Sequence, residues 1–98
     1  MNQEPSVLMD QCESAARMLK ALAHPQRLQI LCLLAGGEVS VSELEKRCKA
    51  SQSAVSQFLG RLKSEGWVTS RKDGNYVYYR ILDPKVKKLI QAMHRIFC

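Results

Sequence analysis

The stretch "SVSELEKRCKASQSAVSQFLGRLKSEG", residues 40–66, decides the architecture of this chain. It reads as two helices joined by a brief turn. Ser40 and Glu43 have the spacing of a capping box, in which the hydroxyl takes a backbone N–H and the carboxylate reaches back to the cap. Leu44 and Cys48 lie one helical turn apart, so the first helix is short and has one buried edge. After Lys49-Ala50, Ser51 is the N-cap expected for a second helix over 51–65, and Gly66 suits the left-handed position that closes one. Val55, Phe58, Leu59 and Leu62 share one face of that helix. Gln52, Ser53, Ser56, Gln57 and Gly60 share the other, which is uncharged and rich in short hydrogen-bonding groups.

Downstream the period changes from that of a helix to two. "WVTSRK" (67–72) and "YVYYRIL" (76–82) flank "DGN" (73–75), a tight-turn signal, and predict a β-hairpin with Lys72, Asp73 and Asn75 near its tip. Asp83-Pro84 then starts a last helix, with Val86, Leu89, Ile90, Met93 and Ile96/Phe97 as its apolar set. Upstream, Leu8, Cys12, Ala15, Leu19 and Leu22 form one stripe of an amphipathic helix. A second helix restarts at "HPQRLQILCLLAGG" (24–37), with His24 as a helix-start residue, Pro25 in the first turn and Gly36-Gly37 as a stop. There Leu28, Leu31, Cys32 and Ala35 share a face, and Ile30, Leu33 and Leu34 fill in around it, so this helix is expected to be central to the core. The fold class is therefore mainly α with a β-hairpin, in the order α-α-α-α-β-β-α. One domain spans 1–98, without repeats or linkers. The first and last helices each carry an apolar stripe that so thin a domain cannot easily bury alone, and pairing with a second copy would cover both.

The formal net charge is +6, and it is unevenly placed: residues 1–39 are net −1, 40–80 net +4 and 81–98 net +3. A basic middle and end on a neutral start point to a polyanion partner, most simply nucleic acid. No apolar run approaches the roughly 20 residues that span a bilayer, and the polar start "MNQEPSVLMDQ" is not a secretory signal. No membrane partner is expected, and the expected compartment is the reducing cytoplasm. Four cysteines there are not a structural disulfide framework, and they form no C-x-x-C or C-x-C.

A short capped helix, a turn and a second helix with a polar outer face form the helix-turn-helix plan, and the hairpin makes it a winged one. The apolar face of helix 51–65 anchors it, so the opposite face projects. Gln52, Ser53, Ser56 and Gln57 are then the candidates for base edges, since Gln bonds adenine bidentately and Ser serves several edges. Ser51 lies at the positive helix start, which favours phosphate. Arg61, Lys63, Arg71 and Lys72 are the candidate phosphate contacts, with Asn75 and Tyr76 on the wing. The partner would be double-stranded DNA.

With those motifs in place, the chain resembles the ArsR family of winged-helix repressors. "LAHPQRLQIL" (22–31), "SQSAVSQFLGRLKSEGWV" (51–68) and "RKDGNYVYYRI" (71–81) carry the likeness, which runs from about Ala16 to Cys98. The resemblance implies a homodimer built on the first and last helices and bound to a palindromic operator. It places Gln52, Ser53, Ser56 and Gln57 on the reading helix and Lys72 to Tyr76 on the wing. One departure is Phe58, where many relatives carry His; its ring is expected to turn inward. No cofactor is implied.

ArsR-type repressors usually sense metals, but the arsenic-type C-x-C is absent here, where "SELEKRC" (42–48) offers one thiol. The zinc-type pairs on the last helix are also absent, leaving only Asp83 and His94. A metal- or arsenite-responsive repressor using thiolate ligands is the alternative reading. The chain is more similar to the persulfide- and oxidant-sensing branch of the family, the BigR, SqrR and HlyU type, with Cys32 in "QILCLL" (29–34) and Cys98 in "HRIFC" (94–98). This resemblance implies that the two thiols meet within one protomer and are joined as a disulfide or polysulfide by reactive sulfur species or oxidants. Bridging would tie the second helix to the last and loosen the operator. Cys98 has His94 and Arg95 one turn back to favour attack, and its own carboxylate and the helix end to oppose it. Cys98 is expected to attack and Cys32 to resolve, while Cys12 and Cys48 are expected to pack. A thiol enzyme lacks an evident base or cleft, and a winged helix used only for protein contacts would show absent or salt-insensitive binding to the upstream promoter, because DNA binding must weaken with salt.

Overall fold

A computed structural model describes residues 4–98; Met1 to Gln3, part of the polar start, lie outside it. Its helices are α1 (Pro5–Leu22), α2 (Pro25–Leu34), α3 (Val41–Arg47), α4 (Gln52–Ser64) and α5 (Pro84–Phe97). Its strands are β1 (Val39–Ser40), β2 (Val68–Asp73) and β3 (Tyr76–Ile81), so the order is α1-α2-β1-α3-α4-β2-β3-α5. The three strands form an antiparallel sheet in the order β1-β3-β2.

The helix starts follow the side chains read from the sequence. Ser40 Oγ accepts from the Glu43 N–H at 3.2 Å, Ser51 Oγ from Ala54 at 3.1 Å, and Asp83 Oδ1 from Lys85 at 2.9 Å. His24 Nδ1 does the same for Gln26 at 3.2 Å. Only half of the expected capping box forms: Ser40 Oγ takes the Glu43 N–H and also lies 3.2 Å from Ser42 Oγ, while the Glu43 carboxylate takes no hydrogen bond from the Ser40 N–H. Helix α4 ends in a Schellman motif: Gly66, at φ +84°, donates to the Lys63 carbonyl and Trp67 to the Leu62 carbonyl. In the hairpin Asp73 pairs with Tyr76, leaving Gly74-Asn75 as the loop. Gly74 has φ +60° and Asn75 no positive φ, the arrangement of a type II′ turn.

The strand β1 was not legible, being two residues long. It pairs Val39 with Tyr79 and Ser40 with Tyr78, and so ties the start of α3 to the hairpin. The core draws on nearly every element: Leu22, Ile30, Leu31, Leu34, Leu44, Cys48, Val55, Leu59, Leu62, Val68, Ile81, Val86 and Ile90. Within α2 the deepest residues are Ile30, Leu31 and Leu34, whereas Leu28 and Cys32 are only partly buried, a rotation from the expected face. The reason is that α5 and the sheet both pack on α2 and select its inner side.

The first and last helices leave apolar groups uncovered. Val7, Met9 and Leu19 of α1 are exposed, as are Ile96 and Phe97, at 76% and 78%. Cys12, expected to pack, is exposed as well, because only Met18 and Leu22 of α1 reach the core. Among the described residues no helix is long and apolar enough to cross a membrane.

Candidate nucleic-acid interface and thiol site

Helix α4 is anchored by Val55, Leu59 and Leu62, and its outer face is free. Ser51, Gln52, Ser53, Ser56, Gln57 and Gly60 are all exposed, in one row along the helix. Ser53 Oγ lies 3.2 Å from Ser51 Oγ at the helix start. Phe58 is partly buried against the core, as its position requires, and its ring meets that of His24 with centroids 4.9 Å apart. That contact fixes the middle of α4 against the start of α2. The other end is held by Glu65, which accepts from Arg27 at 2.7 Å and from the Trp67 indole at 2.9 Å. Partial burial works against ionisation of Glu65, but these donors and the charge of Arg27 hold its carboxyl below the usual range.

The basic side chains around this face are not equivalent. Arg61 and Lys72 are exposed, while Lys63 Nζ donates to Ser70 Oγ at 2.8 Å, bracing α4 on β2. Arg71, expected as a free phosphate contact, is engaged instead. Its Nε and NH2 donate to the Glu38 carboxylate at 2.6–3.0 Å, Asp73 lies 3.7 Å away, and its guanidinium sits 4.6 Å over the Tyr78 ring. A phosphate at Arg71 would have to compete with Glu38. Hydrogen bonding by Arg71 lowers the Glu38 pKa, and the pairing raises that of Arg71. Asn75 and Tyr76 stand exposed at the wing tip, with Tyr76 and Tyr78 ring centroids 6.3 Å apart.

The thiols occupy a different side of the fold. Cys32 is partly buried on α2, and Cys98 is exposed at the end of α5, its N–H donating to the His94 carbonyl. The helices that carry them pack together; burial pushes the Cys32 thiol up, and the charge of Cys98 adds to the rise. Cys48 is buried beside Leu44, and burial raises its thiol although Arg47 pulls the other way. No three His, Cys, Asp or Glu side chains among the described residues converge as metal ligands. Asp83, one of the two residues left of the zinc-type pattern, caps α5. The partners missed by sequence reasoning are Glu38 for Arg71 and Glu65 for Arg27. No local spacing signals pairs 33 and 38 residues apart.

Residues 24–70 match the model of the family described as bacterial regulatory protein, arsR family. The chain is 45% identical over 84 residues to the transcriptional activator HlyU of Vibrio cholerae, spanning 86% of this chain and 78% of that protein. It belongs to the ArsR family. The fold agrees: the transcriptional repressor BigR from Xylella fastidiosa superposes with a TM-score of 0.88 at 35% identity, over 98% of both chains. A homodimeric winged helix-turn-helix DNA-binding domain from Mycobacterium bovis, a possible ArsR-family transcriptional regulator, matches with a TM-score of 0.74 at 34% identity, over 98% of this chain and 89% of that one. The winged helix-turn-helix expected from residues 40–82 is thus the fold, and HlyU and BigR belong to the branch named from Cys32 and Cys98. ArsR proteins are DNA-binding transcriptional regulators and not enzymes, and this chain is one of them.

Proposed function

We propose that this ArsR protein is a dithiol sensor that binds a palindromic operator as a homodimer and releases it when Cys32 and Cys98 are bridged. The observation that carries the reading is the packing of α2, which holds Cys32, against α5, which leads into Cys98, two thiols 66 positions apart in sequence. The uncovered apolar ends of α1 and α5 support a second copy as partner. The exposed polar row of α4, with Arg61, Lys63, Lys72, Asn75 and Tyr76 around it, suits a major groove and its flanking phosphates.

The order of events follows from exposure. Cys98 is open to solvent and attacks first; Cys32 is held protonated by burial and by the neighbouring charge. With a persulfide RSSH, the Cys98 thiolate attacks the outer sulfur, expels RS⁻ and becomes Cys98–S–SH. Cys32, on giving up its proton, then attacks the Cys98 sulfur and expels HS⁻. Two thiols lose two electrons, the sulfane sulfur gains them, and RSH and H₂S leave. The bridge joins α2 to α5, the helix expected to hold the dimer, and so changes the spacing or freedom of the two reading helices. A coupling of about 1–3 kcal/mol is enough to empty an operator.

The test pairs mass spectrometry with binding to an upstream promoter fragment. Cys32→Ser and Cys98→Ser should each bind DNA as the parent does and ignore the oxidant. A double serine variant that still releases DNA on oxidation would defeat the proposal.

A further inference from the structure

Between α2, the loop after it, the end of α3 and the last turns of α5 lies an open groove of about 830 Å³. Cys32 forms part of its wall, together with Arg47 from α3 and His94 and Arg95 from α5. Ligand pockets run from roughly 300 to 1,000 Å³, so this groove has room for a molecule of small-peptide size. Its charge is one-sided. Two guanidiniums and an imidazole face one carboxylate, Glu38, whose two oxygens already accept from Arg71. Gln29 and Gln91 add neutral polar groups. The Oε1 of Gln29 accepts from the Lys49 backbone N–H at 3.2 Å, which leaves its NH2 for an acceptor of its own. Cys32 stands in the wall of this basic groove, and the exposed Cys98 follows three residues after Arg95, at the end of the helix that supplies Arg95 and His94 to it.

We propose that the groove receives the reacting sulfur compound and selects carboxylate-bearing persulfides and disulfides over neutral ones, with Arg47 and Arg95 as the anion-recognising residues. The proposal rests on the dithiol reading above and adds the class of reagent to it. A small neutral oxidant such as peroxide gains nothing from these cations. An anionic one is drawn in and held with its sulfur beside the two thiols. With a disulfide RSSR, the Cys98 thiolate attacks one sulfur and expels RS⁻, giving a mixed disulfide whose carboxylates remain in the groove. Cys32 then attacks the Cys98 sulfur and expels the second RS⁻. The cysteines lose two electrons and two protons, and RSSR becomes two RSH.

The experiment follows Cys32–Cys98 bridging of the full chain by mass spectrometry with three reagents: glutathione disulfide, bis(2-hydroxyethyl) disulfide and cystamine. The parent should favour the anionic reagent. Arg47→Gln combined with Arg95→Gln should slow glutathione disulfide about tenfold against the neutral reagent. The ratio is the measure, since any effect of Arg95 on the thiol itself is common to all three. The Lys replacements at both positions keep the charge and should keep most of the preference. Arg47→Gln alone, on a different helix from Cys98, should shift the ratio in the same direction. An unchanged ratio in the double Gln variant overturns the selectivity and leaves the dithiol reading standing. Absence of the Cys32–Cys98 bridge with every reagent overturns both.

Discussion

The carboxylate of Glu38 grips the guanidinium of Arg71 in a two-pronged pair, with Oε1 and Oε2 accepting from Nε at 3.0 and 2.9 Å and Oε1 from NH2 at 2.6 Å. Glu38 stands just before β1 and at the rim of the Cys32 groove, and Arg71 lies on the wing. One ion pair therefore connects the rim of the Cys32 groove to the wing.

Breaking that pair should strengthen DNA binding. Glu38→Gln frees Arg71 for phosphate, so affinity for a promoter fragment rises several-fold at low salt. The slope of log affinity against log salt steepens by about 0.9 for the added contact. Fluorescence anisotropy over a salt series reads both, and an unaltered slope would show that Arg71 stays off the DNA. Acid should act in the same direction: the Glu38 pKa is depressed, so its pairing is complete above the unfolded value and is lost as pH falls through the lower folded one.

Glu65 is expected to matter for stability. It satisfies Arg27, whose Nε is already buried without a partner, and the Trp67 indole. Glu65→Gln removes the ionic partner and should cost about 1–2 kcal/mol in urea unfolding, kept modest by the partial exposure of Glu65. Because the Glu65 pKa is lowered on folding, its contribution is present above the unfolded carboxylate value and fades as pH falls through the folded one. The variant should therefore differ from the parent at neutral pH and converge with it in acid.

The reading helix and the wing should fail in different ways. Gln52→Ala or Gln57→Ala is expected to lose about 1–3 kcal/mol on the preferred operator and to relax preference at one base pair. Lys72→Ala should weaken all sequences alike and reduce the salt slope by about one contact. Selection from a random DNA pool, followed by salt titration, separates the two behaviours. Loss of specificity on Lys72→Ala would reassign the wing as a reader.

The uncovered apolar ends give a prediction about assembly. Leu19→Glu with Ile96→Glu places charge on two exposed positions of the protomer, at 54% and 76%, so the protomer itself should remain folded. Sedimentation should nevertheless show a monomer, and operator binding should fall by well over tenfold because two half-sites no longer bind together. A double variant that stays dimeric would place the subunit contact elsewhere.

The parts legible in the sequence are those whose physics is local. Ser40, Ser51 and Asp83 cap their own helices within two or three residues, and Gly66 and Gly74 take the backbone angles their turns demand. The period-two run on both sides of Gly74-Asn75 makes a hairpin for the same reason. The polar face of α4 was readable too, because Val55, Leu59 and Leu62 must point inward wherever the helix goes. These interactions span a turn or a hairpin loop, so the residues that make them sit together in the text. Tertiary structure decided the rest. It chose which side of α2 is deepest, paired the two residues of β1 with Tyr78 and Tyr79, and brought Glu38 to Arg71 and Glu65 to Arg27. It also packed α2 on α5 and gathered Cys32, Arg47, His94 and Arg95 into one groove. Charges and thiols carry no periodicity that names their partners. Only the packing of α5 and the sheet onto α2 brings the charged partners together, and it sets the elements that carry the two thiols side by side.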